Sequence, residues 1–382
     1  MTGSVQEKNG MLYIVVNYKD ENNKRRQKWI KTGLTIRGNR RKAEKMLTDL
    51  LAENQDDTYI SKSKVLFSDY IKFWLEVNKP NLQVTTFDGY THMMRRHLIP
   101  HFKTKNIYLQ EVTPIHLSQY INSKLDEGLN PNTVIKHFAI IRSVLQYAVK
   151  QKLVKENVAD LVEKPKRKKY LAQFYNQKEI NTLLSFTKNT SIELPVFLAC
   201  YFGLRRSEIL GLKWSAIDFS NKTITIQHKV VRAYVDGKCT IQCSDDLKTD
   251  SSYRTLPLND AICNYLGDLR LRQLTYSKVT FIRPNKNLDD YICIDSRGEL
   301  LKPDYISRAF HKIILKHDLK PIRFHDLRHS CASLLLSLGY SMKDAQEWLG
   351  HSNFQTTANI YAHVDPKNKQ NMIDELGNSL II

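Results

Sequence analysis

Two pairs of side chains in the C-terminal half of the sequence have the types and spacing to grip a phosphate. In "FGLRRSEILGLKW" Arg205 stands three residues before Glu208, and in "HDLRH" His325 stands three before Arg328. Side chains three apart on a helix share a face, so each arginine has a polar neighbour. Two planar, permanently charged forks could hold both non-bridging oxygens of one phosphate and stabilise the extra charge of a pentacovalent transition state. A single arginine is more often a surface residue or an ion-pair partner, so this chemistry requires both to fold to one place. "GHSNFQTTANIYAHV" contributes Tyr361, flanked by His351 and His363. A phenol with a pKa of about 10 is a poor nucleophile at neutral pH, and needs a proton acceptor and a positive field that favours the phenolate. The histidines also suggest a metal site, because His325 and His329 are four apart with His351 and His363 downstream. Against it, "HDLRH" lacks the internal Glu of a zincin-like site, and Arg328 would be repelled by a cation.

Composition points to the same kind of partner. The chain has 382 residues, enough for two or three domains with their own cores, and 58 Lys plus Arg against 39 Asp plus Glu give a net charge of +19. Such an excess favours a polyanion, and nucleic acid is the first candidate. No 18-residue apolar run and no signal with an apolar core is visible, so a cytoplasmic, nucleoid-associated protein is expected. The six cysteines show no CxxC pairing, which reads as scattered thiols in a reducing compartment.

The elements that must position these residues are legible from pattern. "SVQEK", the pair Asn9-Gly10, "MLYIVVNYK", the polar "DENNK" and "RRQKWIKTG" predict a three-stranded antiparallel sheet. A helix over 39–54 follows, with Ala43, Leu47, Leu50 and Leu51 covering the sheet. Between Lys24 and Lys45 lie ten Lys or Arg and one acidic residue, Glu44. That pattern fits a solvated hairpin or, as favoured here, a small module that reads a DNA groove with strands, through Lys24, Arg25, Arg26, Lys28 and Lys31. From Val65 to Val162, "LFSDYIKFWLEVN", "TTFDGYTHMMRRHLIPHF", "TPIHLSQYINSKLDEG" and "NPNTVIKHFAIIRSVLQYAVKQKL" predict four capped amphipathic helices. Arg95, Arg96, Lys136 and Arg142 decorate them as candidate DNA contacts, although a charged face alone is more often solvation. "EKPKRKKY" joins a proline to five Lys or Arg, including Lys166, Arg167, Lys168 and Lys169, and predicts a basic linker that could lie along a phosphate backbone. The remaining residues predict a mixed domain: helices near 177–188, 191–203 and 205–213, strands in "TITIQHKVVRAYV" and "TIQCSDDLKTDSSYRTLPL", then helices near 259–274, 303–317, 325–338, 341–349, 355–362 and 366–376.

"GLRRSE", "LKTDSSYRTLPL", "HDLRHSCASLLLSLG" and "LGHSNFQTTANIYAH" occur in the order and spacing of the tyrosine recombinase family, which this sequence resembles across its whole C-terminal part. The basic strand-rich N-terminus and four-helix middle also look like integrases of conjugative transposons and temperate phages of low-GC Gram-positive bacteria. The resemblance implies a multidomain α+β protein. Its expected parts are an arm-type DNA-binding domain over 1–60 (three-stranded sheet plus helix), a helical, SAM-like core-binding domain over 64–163, a basic linker over 164–172, and a mostly helical catalytic domain with a small antiparallel sheet over 173–382.

By that resemblance Arg205 and Arg328 fall on the phosphate-clamping arginines and Tyr361 on the nucleophile. Lys248 falls on the hairpin lysine that protonates the 5′-oxygen leaving group, with Lys238 as the fallback because the "AYVDGKCTIQCSDD" hairpin is long. His325 matches the histidine that handles the tyrosine proton or hydrogen-bonds the phosphate, and His351 a second histidine that donates in the transition state. Glu208 matches an acidic residue that orients its neighbours. His329 has a packing role. The implied reaction is site-specific strand exchange through a 3′-phosphotyrosine and a Holliday junction, integrating and excising a mobile element. No cofactor and no metal are implied, since the arginines neutralise charge. The implied partners are core and arm sites in double-stranded DNA, a homotetramer on that DNA, and an excisionase-type directionality factor. A topoisomerase-like nicking-closing enzyme and a catalytically silent DNA-binding protein remain the other readings. The tail after Tyr361 packs on its own domain or on a neighbouring protomer, and the stretch "KNLDDYICIDSRGE" has no assignment.

Overall fold

The computed structural model describes residues 2–19, 25–53, 65–168, 173–235, 238–245, 253–279, 288 and 290–350. Lys24, Lys169, Lys248, His351, Tyr361, His363 and the helices expected at 355–362 and 366–376 lie outside the described residues. Two compact units divide the chain: Met1–Leu82 with Gly89–Lys168, and Gln83–Asp88 with Lys169–Ile382.

In the first unit, β1 (Thr2–Lys8), β2 (Met11–Lys19) and β3 (Arg25–Thr35) form an antiparallel sheet in that order. Asn9 and Gly10 both have positive φ, 52° and 75°, the backbone of a tight hairpin turn whose twist matches its strands. Helix α1 (Arg40–Glu53) buries Ala43 and packs on β1 and β2. Gly3 pairs with Val16, and a Cβ there would lie 2.6 Å from Leu47 Cδ1, so this is the face that α1 covers. Register then sorts the basic residues of β3. Lys28 and Ile30 oppose Val16 and Ile14 on the covered face, whereas Lys31, with Gln27 and Trp29, stands on the open one.

Helices α2 (Phe67–Asn78), α3 (Val84–Met93), α4 (Ile99–Lys105), α5 (Pro114–Asp126) and α6 (Pro131–Lys150) follow. The third and fourth form one helical stretch interrupted by a π segment, Met94–Leu98, immediately ahead of Pro100, which cannot donate to the preceding turn. Thr113 caps α5 in a capping box and Asn130 caps α6 through its side chain. Arg95, Arg96, Lys136, Lys166, Arg167 and Lys168 are exposed. Arg142 is exposed but ion-paired to Asp160 at 2.6 Å.

The second unit contains α7 (Gln177–Thr187), α8 (Glu193–Phe202) and α9 (Arg206–Gly211), then β4 (Ile217–Asp218), β5 (Thr223–Ile226), β6 (Lys229–Val235), β7 (Lys238–Ser244) and β8 (Arg254–Pro257). The strands make a small β4-β5-β8 sheet and a separate β6-β7 hairpin, with Lys238 opposite Val235 at its tip. Helices α10 (Asp260–Val279), α11 (Pro303–Lys316), α12 (Asp326–Ser337) and α13 (Met342–Leu349) complete the described chain. The first of these runs past the expected end at residue 274. The stretch without a sequence assignment is partly core: Tyr291, Ile292 and Cys293 are buried, and the Ile292 N–H donates to the Leu212 carbonyl at 3.1 Å. All six cysteines are free. Among the described residues, no helix is long and apolar enough to cross a membrane.

Candidate active site

The site is built around the junction of α8, α9, α12 and the end of α13. Helix α8 stops at Gly203, whose left-handed φ of 59° turns the chain toward α9. A Cβ at this position would lie 2.1 Å from Leu349 Cδ2, so any side chain here forces the buried Leu349 side chain of α13 to move. Gly203→Ala is therefore expected to destabilise the second unit by about 2–3 kcal/mol, through left-handed strain and overpacking, read as a lower thermal midpoint.

Arg205 does not lie within a helix, as its spacing to Glu208 suggests; it has extended backbone and caps α9. The pair forms all the same, because the Glu208 carboxylate reaches back. Its Oε2 accepts the Arg205 backbone N–H at 2.9 Å and its Oε1 accepts from the guanidinium at 2.6 Å. His325 likewise precedes α12 as its N-cap, with Arg328 inside the first turn. Burial of Arg328 is nearly complete, at 1 % exposure.

A third arginine, which motif reasoning did not single out, completes the cluster. Arg254 opens β8, donates to Glu208 Oε2 at 3.2 Å and is itself buried. Its only sequence signal is its place in "SSYRTLPL", after the long hairpin. The three guanidiniums grip three successive carbonyls at the end of α13. Arg254 donates to Trp348 O at 2.9 Å, Arg328 to Leu349 O at 2.6 Å and Arg205 to Gly350 O at 2.9 Å. Arg328 also donates to Gly203 O at 2.6 Å. The last carbonyls of a helix lack intrahelical partners and carry the negative end of its dipole, so this is where cations bind best. The cluster thus fixes the point from which the chain proceeds to His351 and Tyr361.

Electrostatics follow from burial. Two guanidiniums, those of Arg205 and Arg254, bond one carboxylate, Glu208, which is 2 % exposed, and Arg328 adds its field. Burial by itself would raise the Glu208 pKa, but Arg254, Arg205 and Arg328 outweigh it and hold the carboxyl below the usual range. Burial, reinforced by Arg205, brings Arg328 down to about 9. The cluster retains an excess of positive charge, a field suited to a phosphate that gains negative charge as it reacts. His325 is solvent-exposed on one side, but the protein packed around the rest of its ring, with His329 and Arg328 adding to the effect, lowers it to about 4, so at neutral pH it is uncharged. Its ring lies edge-on to that of His329, 5.4 Å between centroids. Upstream, fully buried Asp326 accepts from the Arg323 backbone N–H at 2.9 Å and from its guanidinium at 3.0 and 2.8 Å, which fixes the turn carrying His325. Among the described residues, no three His, Cys, Asp or Glu side chains gather as metal ligands.

The structure therefore brings Arg205, Glu208 and Arg328 together and adds Arg254, with His325 and His329 on the same helix start as Arg328. Residues 173–368 match the phage integrase family, and residues 66–125 match its N-terminal SAM-like domain. A tyrosine recombinase XerC-like protein of Caldanaerobacter subterraneus subsp. tengcongensis is 26 % identical over 98 % of both chains. The ICEBs1 integrase of Bacillus subtilis is 24 % identical, covering 90 % of this chain and 92 % of that one. The Tn1549 transposon integrase, solved in complex with a circular intermediate DNA, superposes with a TM-score of 0.65 at 17 % identity, over 82 % of this chain and all of that one.

Proposed function

Because the chain belongs to the phage integrase family of tyrosine recombinases, we propose that it is a site-specific DNA recombinase that integrates and excises a mobile element, with Tyr361 as its nucleophile. The observation that carries this reading is the convergence of Arg205, Arg254 and Arg328 on the end of α13, ten residues or so of chain before Tyr361. Tyr361 attacks a DNA phosphodiester, its proton passing to a neighbouring base, the role this reading gives His325. A phosphorus–oxygen bond to the tyrosine forms as the bond to the 5′-oxygen breaks. Lys248 delivers a proton to that oxygen, leaving a 5′-hydroxyl and a 3′-phosphotyrosine. The phosphodiester energy is stored in the new bond, so a second 5′-hydroxyl reseals the strand without a high-energy cofactor. Arg205 and Arg328 stabilise the pentacovalent oxygens, the charge-neutralising role that metal ions take in other phosphoryl transfers. Glu208 orients the arginines, His351 donates to the transition state, and His329 packs.

The same reading assigns the rest of the chain. Residues 1–60 bind arm sites, with Lys31 beside Trp29 on the uncovered face of the sheet, Arg25 and Arg26 at its end, and Lys24 preceding them in sequence. Residues 64–163 bind core sites, using Arg95, Arg96, Lys136 and Arg142, and the 164–172 linker follows the backbone through Lys166, Arg167, Lys168 and Lys169. The working form is a tetramer on two cytoplasmic DNA sites that resolves a Holliday junction, its direction set by an excisionase-type factor.

The test uses a duplex selected from a randomised pool for binding, with cleavage mapped and a nick then placed beside that position so that the released fragment escapes. Wild-type protein is expected to accumulate a covalent complex that survives denaturation, and Tyr361→Phe none. Absence of the complex with wild type, or equal trapping by the variant, would leave a silent DNA-binding protein. Relaxation of supercoiled plasmid without joint molecules would favour a nicking-closing enzyme.

A further inference from the structure

The face of the β1-β2-β3 sheet that α1 leaves open carries a relay of side-chain hydrogen bonds. Asn17 and Gln27 stand opposite each other on β2 and β3, and Trp29 follows Gln27 on the same side of its strand. The Trp29 indole N–H donates to Gln27 Oε1 at 3.3 Å, and Gln27 Nε2 donates to Asn17 Oδ1 at 3.3 Å. An indole can only donate, so it draws the Gln27 oxygen toward itself and leaves the Gln27 nitrogen to face Asn17. Each amide oxygen is thereby engaged. Both residues are exposed, so what the pair offers a ligand is chiefly N–H: the second hydrogen of Gln27 Nε2 and the two of Asn17 Nδ2. Trp29 is itself held in place. The Tyr13 ring meets it edge-on, 6.1 Å between centroids, and the Lys8 ammonium lies over it at 5.2 Å.

The charge on this face suits a duplex. Register puts Lys8, Arg25 and Lys31 on it beside the amide pair, and no Asp or Glu of the described strand residues; Glu7 belongs to the covered side, 3.7 Å from Arg40. Arg25 and Lys31 stand at either side of Gln27 on β3, about 20 Å apart on a strand rising roughly 3.3 Å per residue. A major groove is about 12 Å wide, so the two cations can reach phosphates on its two sides while the amides lie over the base edges between them. A minor groove, at about 6 Å, admits no sheet.

We propose that the Trp29–Gln27–Asn17 relay reads guanine in the major groove of an arm-type site, with Asn17 and Gln27 determining specificity and Trp29 positioning them. This rests on the reading of residues 1–60 as a DNA-binding module. An unrestrained Asn or Gln suits adenine, because its N–H meets N7 while its oxygen accepts from the N6 amino group. Here the oxygens are engaged, and a donor-rich edge sets N–H against that amino group. Guanine offers two adjacent acceptors instead, N7 and O6.

Full-length wild type and variants select duplexes from a randomised pool, and affinities for guanine and adenine are compared at the position whose preference depends on Gln27. Gln27 is exposed, so Gln27→Ala identifies that position without opening a cavity. Wild type is expected to prefer guanine there by about 5–150-fold, the range for one bidentate base contact. Trp29→Phe keeps an aromatic ring but removes the indole N–H and releases the Gln27 oxygen as an acceptor, so the ratio should fall to parity or invert toward adenine. A ratio cancels any uniform loss of binding, and a merely structural role for Trp29 would leave it unchanged. A wild-type preference for adenine, no position that depends on Gln27, or an unchanged ratio in Trp29→Phe overturns the guanine reading. The module is tested separately: Arg25→Ala and Lys31→Ala should each lower the salt dependence of binding by about one released counterion. With those slopes lowered, a failed base preference leaves the DNA-binding reading standing. Unchanged slopes together with no Gln27-dependent position overturn that reading, and the relay's role with it.

Discussion

Replacing Arg328 by lysine is expected to lower single-turnover strand cleavage by about 10²–10³-fold, the loss typical of one transition-state donor. The reason is geometric. One terminal nitrogen of Arg328 donates to Gly203 O and the other to Leu349 O, both at 2.6 Å, from a nearly sealed position. An ammonium is a compact point charge and cannot reproduce a rigid fork that spans α8 and α13. The positive charge survives, so DNA binding should change little; what is lost is the rigid link between the end of α8 and the end of α13. Arg328→Ala would go further, leaving two buried carbonyls without this donor at about 1–3 kcal/mol each. Rate measurement at saturating protein, paired with a melting curve, separates the two effects: the lysine variant should lose rate with a small change in midpoint, the alanine variant should lose both.

Glu208→Gln is expected to cost more in stability than any single substitution in an exposed helix. The carboxylate, 2 % exposed, is the counter-charge for Arg205 and Arg254 and lies in the field of Arg328. Removing one partner of a buried ionic group leaves uncompensated charge and costs about 3–5 kcal/mol, equivalent to a fall of about 6–20 °C in the midpoint of a unit this size. Most of that comes from Arg254, since Arg205 is about a third exposed and partly screened by water. The acid dependence should change too. Because the folded-state pKa of Glu208 is depressed, its contribution is present above the ordinary carboxylate range and is lost as pH falls through the folded value. Wild type should therefore lose stability on acidification that Glu208→Gln, already without the charge, does not lose; parallel melting curves from neutral pH down to about pH 2–3, below the ordinary carboxylate range, check this. Cleavage should fall with it, because Arg205 and Arg254 lose the group that aims them.

Much of this protein is written in local pattern. Asn9-Gly10 specifies a hairpin because both residues tolerate positive φ, found at 52° and 75°. Arg205 and Glu208 find each other although the arginine lies outside the helix, since a capping residue and the third residue of a helix meet as surely as two residues on one face. The resemblance to tyrosine recombinases rests on such local motifs, each a few residues long.

What those motifs do not contain is the partner of each buried charge. Arg254 reaches Glu208 across 46 residues and Trp348 across 94, and Arg328 reaches Gly203 across 125. His228 meets Asp245 only because β6 and β7 end their pairing one residue short of it. Spacing along a chain encodes contacts within a turn or a hairpin, where backbone geometry fixes the distance. Contacts between distant elements depend on strand register and on how closely helices dock, and here Leu349 of α13 packs onto Gly203. By itself the sequence determined which residue types and which local elements are present; the packing of α8, α9, α12 and β8 against the end of α13 decided that Arg205 and Arg254 share one carboxylate beside Arg328, because only close-packed tertiary contact brings like charges together around a buried counter-charge.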